Sequence, residues 1–319
     1  MIVTVRNHGP TAPGTIAASE EFSKGGGPVR TVTLAATQMS CTESRSENLD
    51  AAEALVRAAA RDGAQVILPQ ELFAGPYFCQ AESPLNFDLA EEFRDSLVVA
   101  RFSDLARELG VVIPVPYFEH AGRSFFNSVA VADADGTIVG RYRKSHIPDG
   151  PGYQEKYYFS PGDTGLHAFE TAYCRIGIGI CWDQWFPEVA RILTLRGAEV
   201  ICYPTAIGSE PEDPTLDSSS HWRRTMQGHS AANMIPVVAS NRVGTERIGA
   251  SEITFYGTSF ITDHTGGVNA EMDRSTEGFV LSTCDLDAIE LARRAFGFFR
   301  DRRPDLYGPL MTMDGEWER

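Results

Sequence analysis

Three residues at the ends of apolar runs could do chemistry together in this chain. Cys181 follows Arg175 to Ile180, a run that reads as a buried strand, and precedes Trp182-Asp183-Gln184-Trp185-Phe186-Pro187-Glu188. Pro187 and Glu188 suit the first turn of a helix, where a proline needs no partner and an acid meets the positive helix end. A thiol at such a strand-to-helix turn feels that partial charge, which favours thiolate and so a nucleophile. Alone, the segment describes equally well a cysteine packed as a small hydrophobe. Glu71 closes a second apolar run, Gln65-Val66-Ile67-Leu68-Pro69-Gln70, and Lys144 ends an alternating one, Thr137 to Arg143. Taken singly, these fit a solvated acid and a wet lysine. Taken together, three strand ends supply a nucleophile, a base and a fixed cation. Strand C-termini are also where open α/β sheets hold their functional crevice.

Histidine is the usual partner of a reactive cysteine, and the chain has seven: His8, His120, His146, His167, His221, His229 and His264. None sits in a cysteine-protease signature. A carboxylate beside a lysine can replace it: the acid takes the thiol proton, and the ammonium stabilises thiolate and oxyanion.

The elements that must position these residues are legible from periodicity. Val29 to Gln38 alternates as a strand, and Ser44-Arg45-Ser46-Glu47 fits a capping box before an Ala-rich helix that runs to Arg61 and stops at Gly63. A strand at 65–69, a helix near 91–109 and a strand from Val111 to Phe118 follow. Phe125 to Ala132 and Thr137 to Arg143 make a hairpin around Asp135-Gly136. Strands at 167–172 and 175–180, a helix near 187–196, a strand at 199–203, a helix from Asp217 or Ser218 to Met234 and a strand at 237–242 continue the alternation. Short strands near 253–262, 267–271 and 277–285 lead to a last helix from Leu286. Mixed helices and strands of this number predict a layered α/β domain over 29–319. Met1 to Pro28, with three prolines and Gly25-Gly26-Gly27, reads as a flexible N-terminal tail without signal-peptide or transit character.

Glu71, Lys144 and Cys181, in this order, resemble the Glu-Lys-Cys triad of the nitrilase superfamily of carbon–nitrogen hydrolases, and the likeness runs from about Val29 to the C-terminus. Tyr77 to Gln80, Lys144 to Lys156, Tyr203 to Pro211, His221 to His229 and Asp301 to Tyr307 further resemble the N-carbamoylputrescine amidohydrolase branch. That resemblance implies a four-layer αββα sandwich, with subunits paired through helices near 187–196 and 217–234 into homo-oligomers built from dimers. Ile192, Leu193, Met226 and Ala231 are then candidates to line the seam, as core packing also allows. It implies hydrolysis of N-carbamoylputrescine to putrescine, carbon dioxide and ammonia, a step of putrescine synthesis from agmatine. Cys181 would attack the carbamoyl carbon and Glu71 act as general base. Lys144, with a backbone N–H near Trp182, would hold the oxyanion. Glu155 corresponds to a further carboxylate beside the triad, positioning Lys144 or the leaving amine. No metal or organic cofactor is called for.

Substrate choice rests on the far end of the ligand. No arginine neighbours Cys181, whereas an N-carbamoyl amino acid brings a carboxylate that wants arginine geometry. A free ammonium wants a carboxylate and an aromatic face. Glu210 is the candidate for the first; Tyr77 and Trp182 are candidates to pack the four-carbon chain. The rival readings are a β-ureidopropionase or N-carbamoyl-D-amino-acid hydrolase and, more remotely, a non-catalytic scaffold of this fold.

Composition narrows the remaining classes. Forty-three acids against 28 Lys and Arg give a net charge of −15, and no basic stripe invites nucleic acid. No stretch has the apolar length of a membrane span. The six cysteines form neither CxxC pairs nor metal-ligand spacings, which fits reduced thiols in the cytoplasm.

Overall fold

A computed structural model describes residues 3–6 and 29–317. Two β-sheets face each other and helices cover the outer face of each, so the expected four layers are present. The first sheet begins with β1 (Val3–Arg6), β2 (Thr31–Gln38) and β3 (Val66–Leu68), and α1 (Arg45–Arg61) lies between the last two. After β4 (Glu91–Glu92) and α2 (Leu97–Leu109) come β5 (Ile113–Ala121), β6 (Ser124–Ala132) and β7 (Ile138–Arg143). A short turn, α3 (Glu155–Tyr158), precedes the second sheet. That sheet holds β8 (Ala168–Glu170), β9 (Arg175–Ile178), β10 (Val200–Pro204) and β11 (Val237–Ser240), with α4 (Pro187–Leu195) and α5 (Ser219–Asn233) between them. A hairpin of β12 (Val243–Ile248) and β13 (Ser251–Tyr256) stands apart. Then β14 (Phe260–Thr262) and β15 (Val268–Glu271) extend the second sheet, β16 (Gly278–Asp285) returns to the first, and α6 (Leu286–Phe296) follows.

The strand orders are β1-β16-β2-β3 and β4-β5-β6-β7, joined by a parallel bridge between Val66 and Val112, against β15-β14-β11-β10-β9-β8. Strand alternation assigns the faces. Leu34 and Ala36 of β2 meet Ile176, Ile178, Cys202 and Val238 in the core between the sheets, while Ala35 turns outward to Leu55 and Phe102 of α1 and α2. Behind the second sheet, Ile201 and Val237 pack on Val189, Leu193, Trp222 and Met226.

Three expectations change. Val3–Arg6 pairs parallel with β16, so these residues of the segment read as a tail are a strand; the remainder of that segment lies outside the described residues. The helix expected near 91 starts at Leu97, because Ser96 is its cap and accepts from the Val99 N–H at 3.1 Å. Ser44 accepts from the Glu47 N–H, but the Glu47 carboxylate takes the Thr42 hydroxyl, so only half of the capping box forms. Of the proposed seam residues, Leu193 and Met226 face the core, Ala231 is half-buried and Ile192 is exposed. Among the described residues, no helix is long and apolar enough to cross a membrane.

Candidate active site

Three loops at strand C-termini bring the candidate residues together. Glu71 follows β3, Lys144 follows β7 and Cys181 follows β9, all buried. The acid and the thiol both ride on forced backbone: Leu72, next to Glu71, has φ 49°, and Cys181 itself has φ 42°. Non-glycine residues in that left-handed region mark a turn whose side-chain direction outranks its comfort. Gly162 seats the lysine. Its N–H donates to the Lys144 carbonyl at 2.7 Å, and a Cβ there would meet the Arg143 carbonyl at 2.1 Å.

Lys144 Nζ donates to Glu71 Oε1 at 2.8 Å and to Glu155 Oε2 at 2.6 Å. Burial alone would lower its pKa, but Glu155 and Glu71 outweigh that and hold it well above the ordinary value, so it stays a cation. Glu71 Oε1 also accepts from Asn127 Nδ2 at 2.7 Å, and Glu71 Oε2 is buried with no hydrogen-bond partner. A buried carboxylate oxygen without a donor is costly in a merely structural acid; it is the atom a general base keeps open. Burial pushes Glu155 up to about 7 against the pull of Lys144.

The thiol departs from expectation. Burial first, and Glu71 next, raise the Cys181 pKa well above that of a free thiol, against the opposing Lys144. A five-residue 3₁₀ turn, Cys181–Trp185, separates Cys181 from α4, so the helix terminus is not where its charge is managed. The resting group is a protonated thiol, and to serve as a nucleophile it would need a base to take its proton.

Cys181 and Glu155 open on a cavity of about 390 Å³. Trp182 and Glu210 line it, as do Asp149, Tyr153, Trp185 and His221. Three carboxylates, Asp149, Glu155 and Glu210, thus border a space that, among the described residues, neither lysine nor arginine lines. Burial, and Asp213 nearby, raise the Glu210 pKa. Tyr77 is elsewhere: it is fully buried, does not line the cavity, and donates its hydroxyl to Glu155 Oε1 at 2.7 Å. It holds an acid rather than packing a ligand chain. Among the described residues, no cluster of three or more His, Cys, Asp or Glu has metal-site geometry.

Sequence reasoning missed several supporting residues. Asn127 gave no signal in a strand of mixed polarity. Asp183 gave no signal of its own beside Trp182, yet it takes the Tyr142 hydroxyl at 2.7 Å, the Ile180 N–H at 2.9 Å and His146 Nδ1 at 2.7 Å, tying the lysine loop to the cysteine loop. His146, stacked on Phe186, belongs to that tie and not to the thiol.

The chain is similar to known proteins over most of its length. The profile of the carbon-nitrogen hydrolase family matches residues 33–294. An N-carbamoylputrescine amidase from Oryza sativa subsp. japonica is 55% identical over 296 residues, spanning 92% of this chain and 98% of that protein. A citrullinase from Francisella tularensis subsp. tularensis is 49% identical over 280 residues, 88% of this chain and 98% of its own length. The crystal structure of a carbon-nitrogen hydrolase from Helicobacter pylori G27 superposes with a TM-score of 0.84 at 37% identity, covering 89% of this chain and 99% of that one.

Proposed function

The chain belongs to the carbon–nitrogen hydrolase family and is an amidase, and within that family we propose that it hydrolyses N-carbamoylputrescine to putrescine, carbon dioxide and ammonia. The observation that carries this reading is the charge of the cavity: Asp149 and Glu210 border it beside the Lys144-paired Glu155, and among the described residues no arginine or lysine lines it. A cationic ligand end is favoured there, and the carboxylate of an N-carbamoyl amino acid is not. The identities to plant N-carbamoylputrescine amidases support the same substrate. In a cell this activity would serve putrescine synthesis from agmatine.

The reaction would run through Cys181. Glu71 Oε2, open to a proton, takes that of the thiol as sulfur attacks the carbamoyl carbon. Lys144 and a backbone N–H near Trp182 stabilise the oxyanion. One nitrogen leaves with the proton from Glu71, and an S-acyl enzyme remains. Water, deprotonated by Glu71, then releases a carbamic acid and returns the proton to the thiol; loss of carbon dioxide from that acid frees the second nitrogen, and the sum consumes one water. Glu155 holds Lys144, and Glu210 takes the distal ammonium with Trp182 along the carbon chain. A dimer through α4 and α5 would cover the exposed Ile192 and Leu195.

The test is ammonia release from N-carbamoylputrescine, L-citrulline, N-carbamoyl-β-alanine and an N-carbamoyl-D-amino acid side by side. The expected order puts N-carbamoylputrescine first in kcat/KM. Preference for citrulline, whose end is zwitterionic, or for either N-carbamoyl acid would overturn the substrate assignment.

A further inference from the structure

Behind the candidate catalytic groups lies a second buried ion pair. Arg242, between β11 and β12, is fully buried, and its Nη1 donates to Glu246 Oε1 at 2.7 Å. Its Nη2 donates to the backbone carbonyls of Glu71 at 3.2 Å and Leu72 at 2.5 Å, the turn in which Leu72 is left-handed. The other oxygen of Glu246 accepts the Tyr77 N–H at 2.5 Å. Tyr77 passes the connection on through its hydroxyl to Glu155, and Glu155 reaches Lys144, which reaches Glu71. The circuit is closed: six residues from five separate stretches of chain, each bonded to the next, with none more than 8% exposed. Gly244, between Arg242 and Glu246, holds φ 90°, a backbone that an L side chain resists.

We propose that Arg242 and Glu246 are positioning residues of the active site, which fix the turn bearing Glu71 and, through Tyr77, the carboxylate of Glu155. The inference rests on the reading of Glu71 as general base. Physical economy favours it over plain stabilisation. A buried ion pair is often no better for stability than well-packed apolar side chains, and its best use is to specify an arrangement. Among the described residues, the side-chain hydrogen bonds that the pair makes to the rest of the protein all go to the backbone of Glu71, Leu72 or Tyr77, and the buried Arg242 Nε has no partner. Cys41 and Cys79 lie near the pair as well, and both thiols are raised by burial.

Glu246→Gln tests the circuit without changing its shape. Glutamine has one acceptor oxygen where glutamate has two, so either the Arg242 or the Tyr77 junction must open. Tyr77→Phe opens it at Glu155 with no change of charge. In each variant kcat should fall by about 100-fold, the size of effect expected from displacing a catalytic group by an ångström, with KM changed less than about threefold. Site-resolved alkylation of Cys181 by iodoacetamide, which needs no knowledge of the substrate, should slow by about tenfold. Folded Glu246→Gln and Tyr77→Phe proteins with wild-type kcat and alkylation rate would overturn the proposal; if Glu246→Gln does not fold, Tyr77→Phe alone decides. Slowed alkylation in a protein that hydrolyses none of the ureido substrates would uphold the positioning role and reject the substrate assignment.

Discussion

Glu71 gives one carboxylate oxygen to Lys144 at 2.8 Å and keeps the other, equally buried, free of any hydrogen bond. On the proposed reading, this asymmetry would divide one side chain between two tasks, anchoring and proton transfer. Glu71→Gln keeps an acceptor for Lys144 but cannot carry a proton at the open position. Activity should drop by about 10³-fold or more in kcat, the usual contribution of a general base, while the melting temperature stays within a few degrees. A variant retaining a tenth of wild-type kcat would remove Glu71 from the proton path.

Glu155→Gln addresses the second acid. Lys144 then keeps Glu71 as its only carboxylate and loses the charge-assisted bond at 2.6 Å. We expect kcat to fall by about 100-fold with little change in KM, measured by steady-state ammonia release. A rise in KM with kcat intact would instead make Glu155 a substrate-binding group, which its place in the cavity lining also permits.

Glu210→Gln should separate substrates by charge. Losing a charge-assisted contact to ammonium is worth about tenfold or more in affinity, so KM for N-carbamoylputrescine should rise by that factor. N-butylurea, which lacks the ammonium, should be affected less than twofold. Equal losses on both would take Glu210 out of the ammonium site.

The sequence displayed the strand ends well and their surroundings poorly. Glu71, Lys144 and Cys181 were readable because each closes a run with a strand pattern, apolar for Glu71 and Cys181 and alternating for Lys144, and such runs mark strands without reference to the rest of the chain. The thiolate expectation failed for the same reason: a strand-to-turn pattern reveals a helix end but not the degree of burial, and burial governs this thiol. Tyr77 read as a ligand-packing aromatic because its hydroxyl partner lies 78 residues away. Arg242 and Asn127 are separated from Glu71 by 171 and 56 residues, and no periodicity connects them. β12 escaped because Gly244 and the charged Glu246-Arg247 interrupt the alternation that identifies a strand, and the strand read near 253–262 ran β13 and β14 together.

Acid stability offers a check on the layer behind the second sheet. His229 of α5 accepts from or donates to the Tyr203 hydroxyl at 3.3 Å, and burial lowers its pKa from the usual 6.5 to about 4. A depressed pKa means that the folded state prefers the neutral ring. The stability it contributes is therefore complete above pH 6.5 and is lost as pH falls from there through 4. The full loss is about 3 kcal/mol. Urea titrations at pH 7 and pH 4.5 should find wild type losing more than His229→Gln, which stays neutral at both; parallel losses would place the acid sensitivity in other groups.

The backbone of Cys181, at φ 42°, has a consequence for what activity demands of the fold. Glycine occupies that region freely, whereas a side chain there is strained by about 1 kcal/mol. Cys181→Gly should therefore be inactive yet more resistant to heat than the working enzyme, and Cys181→Ala should resemble the wild type. Such a result would locate a trade-off between endurance and turnover in a single residue, with the proposed nucleophile among the least comfortable side chains of the described residues.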